Sequence, residues 1–207
     1  MTAGWGFFTG ITMSVISILF AYHIGKLVLF ATIAGVLAAW LYSIEPIRLK
    51  RSAIFGPGIV AICYEGLPWF TGAAIFTVSL PSKEVLMVLT MYAFGAHGIM
   101  TLNDFKATKG DKLLGINSLP VILGRKPATL VACLIMLFPQ LVVISLFYFW
   151  GSLILALTLA FCVLLQASSM TFLIKDPEKN TPFFNMTGVL LYISGMMLSA
   201  NGLYLMN

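Results

Sequence analysis

From Pro127 to Ile174 the chain runs for 48 residues without one Asp, Glu, Lys or Arg. At about 20 residues per crossing of a bilayer's hydrocarbon core, such a run makes two transmembrane helices, with Gly151-Ser152 as the turn between them. Five more apolar segments surround it. Two lie near 7–24 and 27–43, divided by Gly25-Lys26. A third lies between Arg51 and Lys83, interrupted by Glu65, Gly66 and Pro68. The fourth is Val85–Asn103, and the last runs from about 183 to 205. A backbone in lipid must satisfy its own hydrogen bonds, and the two-residue alternation of a barrel strand is absent, so the segments read as helices. The expected fold is all-α: a polytopic membrane helix bundle of about seven transmembrane helices. Residues 1–207 form a single membrane-embedded domain.

Composition excludes the soluble alternative. Charged residues make up 9% of the chain and hydrophobic ones 60%, whereas a soluble domain carries about 25% charged residues. Cys63, Cys133 and Cys162 lie in apolar runs at no metal-ligand spacing and read as small hydrophobes. Met1–Ile24 holds no Lys or Arg and does not read as a cleavable signal with a basic start.

The basic residues orient the bundle. Counted on alternate sides of the membrane, one side holds Arg48, Lys50, Arg51, Lys106, Lys109, Lys112, Arg125, Lys126, Lys175 and Lys179; the other holds only Lys26 and Lys83. The positive-inside rule then places the rich side and the N-terminus in the cytoplasm, and the C-terminus outside. The excess of positive charge is therefore partly a topology signal, and no nucleic-acid partner is implied.

Topology does not explain two carboxylates. Val85–Asn103 ends abruptly in Asp104, Lys106, Lys109, Asp111 and Lys112, five of the chain's few charges within nine positions. Carboxylates contribute little to orientation and are costly near the hydrocarbon boundary. Seven residues apart, Asp104 and Asp111 would share one face of a continuous helix; a break at Gly110 would let them converge from a helix end and a loop. Paired carboxylates are hard oxygen ligands suited to Mg²⁺, which shares its shell with water and substrate phosphates, and neighbouring lysines would balance the remaining phosphate charge. The spacing points to a cytoplasm-facing Mg²⁺–diphosphate site; a solvated loop of mixed charge fits the same spacing.

Two other stretches converge on that reading. The loop "YSIEPIRLKRS" (42–52) brings Arg48, Lys50 and Arg51 to the same side, where guanidinium groups can fork onto phosphate oxygens. "CYEGLPWFTG" (63–72) places Tyr64 and Glu65 inside an apolar segment beside Gly66 and Pro68, the pattern of a kinked helix lining a cavity. Packing between helices is the plainer role for Glu65. His97, seven residues before Asp104 and flanked by Gly95 and Gly98, would sit about 10 Å deeper in the membrane; as a lone histidine it also fits a structural hydrogen bond.

"TLNDFKATKGD" followed by "GINSLPVILG" resembles the second aspartate-rich motif of the UbiA superfamily of intramembrane prenyltransferases. "AAWLYSIEPIRLKRS", "ICYEGLPWFTGAA" and "YAFGAHGIMTLNDFK" resemble its chlorophyll and bacteriochlorophyll synthase branch, and the likeness extends from about residue 5 to 200. The resemblance implies a Mg²⁺-dependent enzyme of the bacterial inner, photosynthetic membrane. Such an enzyme transfers a geranylgeranyl or phytyl group from its diphosphate to the propionate carboxyl of (bacterio)chlorophyllide. Carried over residue by residue, it implies catalytic and metal-binding roles for Asp104 and Asp111. It implies diphosphate binding by Asn103 and by Arg48 and Lys50; Arg51, Lys106, Lys109 and Lys112 join that set by their charge and position, and Tyr64, Glu65 and His97 are read as an acceptor cavity. Partners would be the polyprenyl diphosphate, the tetrapyrrole, the bilayer, and other pigment-synthesis or photosystem-assembly proteins.

The resemblance has two departures. Ala107 stands where many members of the superfamily have another aspartate. The family's nine-helix bundle also carries a first aspartate-rich motif after its second helix, whereas this chain has no Asp or Glu before Glu45. It thus resembles the C-terminal two-thirds of the family domain, lacking the first two helices, and is expected to be inactive or nearly so alone. A different acceptor (a quinone precursor or haem) and a non-catalytic pigment-complex subunit or transporter are the alternatives.

Overall fold

The computed structural model describes residues 3–75 and 79–206. The part of the third apolar segment at 76–78 lies outside them. Among the described residues the regular elements are helices: α1 (Ala3–Ile24), α2 (Lys26–Ser43), α3 (Phe55–Ile75), α4 (Lys83–Asn103), the short α5 (Thr108–Leu113) and α6 (Leu119–Ile122), α7 (Arg125–Phe149), α8 (Leu153–Lys175) and α9 (Pro177–Met206). Seven of these are long and apolar enough to cross a membrane, as the charge-free runs predict. The chain is an integral membrane protein.

Two boundaries differ from expectation. The third segment, with its Gly66 and Pro68, is not broken. The helix continues through a π turn at Ile62–Gly66, whose wider winding accommodates a proline that offers no N–H to the preceding turn. The last helix begins at Pro177 rather than near 183, and carries Pro182 close to its start. The α7–α8 turn falls where expected, with Gly151 at φ 81°, a left-handed conformation that favours glycine.

α4 is the central helix. It packs along α7 on one side and against α3 on the other, while α9 crosses it; α8 lies between α7 and α9, and α1 leans on α2 at the edge. Half of α4's most apolar stretch is buried within the protein, against 6% for α1, so the internal core belongs to α4, α7, α8 and α9. Between lipid-embedded helices the hydrophobic effect supplies little attraction, and close packing of small residues takes over. Ala128 and Ala132 of α7 are fully buried, and a Cβ placed on Gly98 of α4 would lie 2.4 Å from the Ala132 carbonyl oxygen. Polar contacts fix the register. Gln140 Nε2 donates to Gln166 Oε1 (2.8 Å), the Tyr192 hydroxyl donates to the Tyr92 carbonyl (2.5 Å), and the Tyr92 hydroxyl meets Ser199 Oγ at 3.0 Å.

Candidate active site

At the end of α4 the chain tightens into a 3₁₀ turn, Asp104–Lys106, and passes through Ala107 into α5. The break between the two aspartates therefore comes at 104–107, and Gly110 sits inside α5. After Leu113, Gly115 takes φ 65°, and two backbone bonds, Gly115 N to Lys112 O and Ile116 N to Asp111 O, form a Schellman-type stop. That turn carries Ser118 back over α5, where its hydroxyl donates to Asp111 Oδ2 at 2.7 Å. Asp111 is buried, and the bond holds its carboxylate in one orientation.

The basic loop is tied to the same place. Asn117 N donates to Arg51 O (3.1 Å), and Ser52 and Asn117 form an isolated parallel bridge. The result is a cavity of about 400 Å³ that contains Asp104, Asp111, Asn103 and Lys50, with Tyr42, Tyr64 and Ser118 in its wall. Neither aspartate has an ion-pair partner among the described residues; instead the two lie within electrostatic reach of each other and of the Tyr42 hydroxyl.

The other expected residues are distributed differently. Arg48 and Arg51 both hold Glu45: Arg48 Nη1 lies 2.7 Å and Arg51 Nη2 2.9 Å from its Oε1. Glu45 thus occupies the fork expected for phosphate. Lys106 and Lys109 line a separate cavity of about 450 Å³, beside the Arg125–Glu178 ion pair. Lys112 is exposed and lines neither cavity. His97 stands on the opposite side of α3 from the aspartates. Its Nε2 donates to the Ile54 carbonyl at 3.0 Å, pinning the start of α3 to α4, and its ring lines an apolar cavity of about 400 Å³. Glu65 lines a fourth cavity, between α3 and α9, that shares Tyr64 with the aspartate site. Sequence reasoning missed Ser118, Gly115 and Tyr42. The signal for the first two was present, since a helix followed by Gly and then Ser-Leu-Pro marks a stop and a restart.

Among the described residues no three His, Cys, Asp or Glu side chains gather as a self-sufficient metal cage. The cavity offers two unpaired carboxylates and one amide, all hard oxygen donors, with room left over. That set fits a Mg²⁺ ion that keeps water and takes substrate phosphate oxygens for the rest of its shell.

Known proteins resemble this chain over most of its length. Residues 1–195 match the model of the UbiA prenyltransferase family. Over 196 residues the chain is 50% identical to the "Bacteriochlorophyll synthase 33 kDa chain" of Cereibacter sphaeroides, covering 95% of this chain and 65% of that protein. It is 45% identical to the protein of the same name from Rhodobacter capsulatus, covering 95% of this chain and 66% of the relative. Identity to the "Chlorophyll synthase, chloroplastic" of Avena sativa is 27%, over 92% of this chain and 50% of that protein. The chain thus spans just under two thirds of the length of the two bacterial relatives. No solved structure matches it. A family match over nearly the whole chain, on a bundle whose paired aspartates face one cavity at a helix end, assigns this protein to the UbiA prenyltransferase family.

Proposed function

We propose that the site formed by Asp104 and Asp111 serves the transfer of a geranylgeranyl or phytyl group from its diphosphate to the propionate carboxyl of a (bacterio)chlorophyllide, on the cytoplasmic face of a bacterial photosynthetic membrane. The observation that carries this reading is the convergence of Asp104 and Asp111 in a cavity with Lys50, a cavity that shares Tyr64 with the cleft between α3 and α9. The names of the relatives, bacteriochlorophyll and chlorophyll synthases, support the choice of acceptor.

The reaction breaks the allylic C–O bond, whose electron pair leaves with diphosphate, and forms an ester bond from the acceptor carboxylate oxygen to the same carbon. It needs no redox partner. Asp104, Asp111 and Asn103 hold Mg²⁺, which when bound supplies positive charge to the leaving diphosphate. Lys50 balances phosphate charge left over, and Ser118 keeps the Asp111 carboxylate aimed into the cavity. Tyr64 lines both the aspartate cavity and the cleft between α3 and α9, which places the cleft's mainly apolar walls beside the reacting end of the prenyl chain. Arg48 and Arg51, bound to Glu45, set the shape of the loop that presents Lys50.

The test is made in the source organism by replacing Asp104→Asn at its own locus. The expected result is an accumulation of unesterified (bacterio)chlorophyllide with the protein still in the membrane at normal abundance. Normal esterified pigment in that strain refutes the reading, and a quinone or haem deficit with normal pigment points to a different acceptor.

A further inference from the structure

We propose that Glu65 seats the acceptor by ligating the magnesium ion at the centre of its tetrapyrrole ring, with the macrocycle lying in the cleft between α3 and α9. The proposal rests on the acceptor reading above and deepens it.

Glu65 lies ten residues into α3, about 15 Å along the helix and so near the middle of a hydrocarbon core of about 30 Å. A carboxylate at that depth persists where it faces a cavity and has a partner. Here none of the described residues hydrogen-bonds or ion-pairs with it. Neither α3 nor the facing stretch of α9, 193–200, carries a Lys or Arg. A positive centre for it comes only with a ligand. Glu65 also sits in the π turn, a feature that recurs at functional positions of helices.

The cleft selects the ligand's shape. It measures about 550 Å³ and is lined by Trp69, Met196 and Met197 as well as Glu65. Trp69 stacks on Tyr92 with ring centroids 5.8 Å apart, and Tyr92 stands edge-on to Tyr192 at 5.4 Å. The Tyr192 hydroxyl bond to the Tyr92 carbonyl locks that aromatic wall. Opposite it, the two methionines are adaptable. A Cβ on Gly72 would meet nothing within 4 Å, so the wall is open there. A free hydrated cation finds one carboxylate and one tyrosine among apolar walls, too few oxygens for its shell. A metallo-tetrapyrrole is flat and apolar, and its four ring nitrogens already hold the magnesium, leaving an axial position for one hard oxygen. Because Tyr64 belongs to both cavities, a ring held at Glu65 directs a peripheral propionate past Tyr64 toward Asp104.

The experiment uses the protein in lipid nanodiscs and two probes, magnesium bacteriochlorophyllide and its metal-free counterpart, titrated by visible absorbance, whose bands report axial ligation. The wild type is expected to bind the magnesium form about tenfold tighter than the metal-free form. Glu65→Leu should erase that preference while leaving the metal-free affinity unchanged. Glu65→His should restore it with a shifted spectrum, because nitrogen replaces oxygen on the metal. A wild type with no preference, or Glu65→Leu with the preference intact, overturns the proposal while leaving the acceptor reading standing. Failure of both probes to bind the wild type overturns the two together.

Discussion

Replacing Gly98 with alanine tests the packing on which the site depends. The added Cβ would lie 2.4 Å from the Ala132 carbonyl oxygen and 2.7 Å from Met136 Cγ. The methionine can swing aside. The carbonyl belongs to the backbone of α7, so relief requires α4 and α7 to separate by about 1 Å to reach ordinary contact. Overpacking of this kind costs about 1–3 kcal/mol, which for a chain of this size lowers Tm by about 2–12 °C. Cys133, buried beside Ala132, is a built-in reporter. In a Cys63→Ala, Cys162→Ala background, a thiol-reactive dye should label the Gly98→Ala protein at a lower temperature than its parent. Gly72→Ala is the control, because nothing lies within 4 Å of its Cβ and alanine favours helix by about 1 kcal/mol. Its melting point should stay level or rise. Equal melting and labelling for Gly98→Ala and its parent would refute the close approach of α4 to α7.

Other substitutions separate the roles assigned to single side chains. Ser118→Ala removes the 2.7 Å bond to Asp111 and should weaken Mg²⁺-dependent diphosphate binding by about tenfold without unfolding the chain; unchanged affinity speaks against a held carboxylate. Lys50→Ala should weaken diphosphate binding more than Lys106→Ala, because only Lys50 lines the aspartate cavity, and equal losses would contradict that placement. A double-mutant cycle on Gln140→Leu and Gln166→Leu, read by thermal unfolding, should give a coupling of about 0.6 kcal/mol and at most about 1.7 kcal/mol; strict additivity would remove the interhelical bond from the account.

The spans were legible in the sequence because lipid leaves few options. A 48-residue charge-free run has to cross twice, and Gly151 turns between the crossings as its position suggests. The path of α3 was harder to read. Gly66 and Pro68 resemble breakers, yet one π turn absorbs the missing N–H and the helix continues. The meeting of Asp104 with Asp111 was expected through a break at Gly110, but the α-helix gives way at Asp104–Ala107, where neither Gly nor Pro announces it.

The basic residues divided for reasons that spacing does contain. Residues two apart do not share a face, so Lys106 turns away from Asp104 toward α9. Glu45, three residues before Arg48 and six before Arg51, competes for both guanidinium groups, a partner that the count of positive charges ignored. His97 on α4 and Asp104 just past its end do not share a cavity, because α3 presents Gly58, Ile62 and Gly66 to His97 and Pro57, Val60 and Tyr64 to Asp104.

The central claim is that Asp104 and Asp111 form a Mg²⁺–diphosphate site. Its most direct test is equilibrium binding of labelled geranylgeranyl diphosphate to the purified chain in lipid nanodiscs, with Mg²⁺ and with chelator, for the wild type and for Asp104→Asn, Asp111→Asn. Binding that requires Mg²⁺ and vanishes in the double variant is the predicted result. Binding that survives chelation, or that the double variant retains, would contradict the claim.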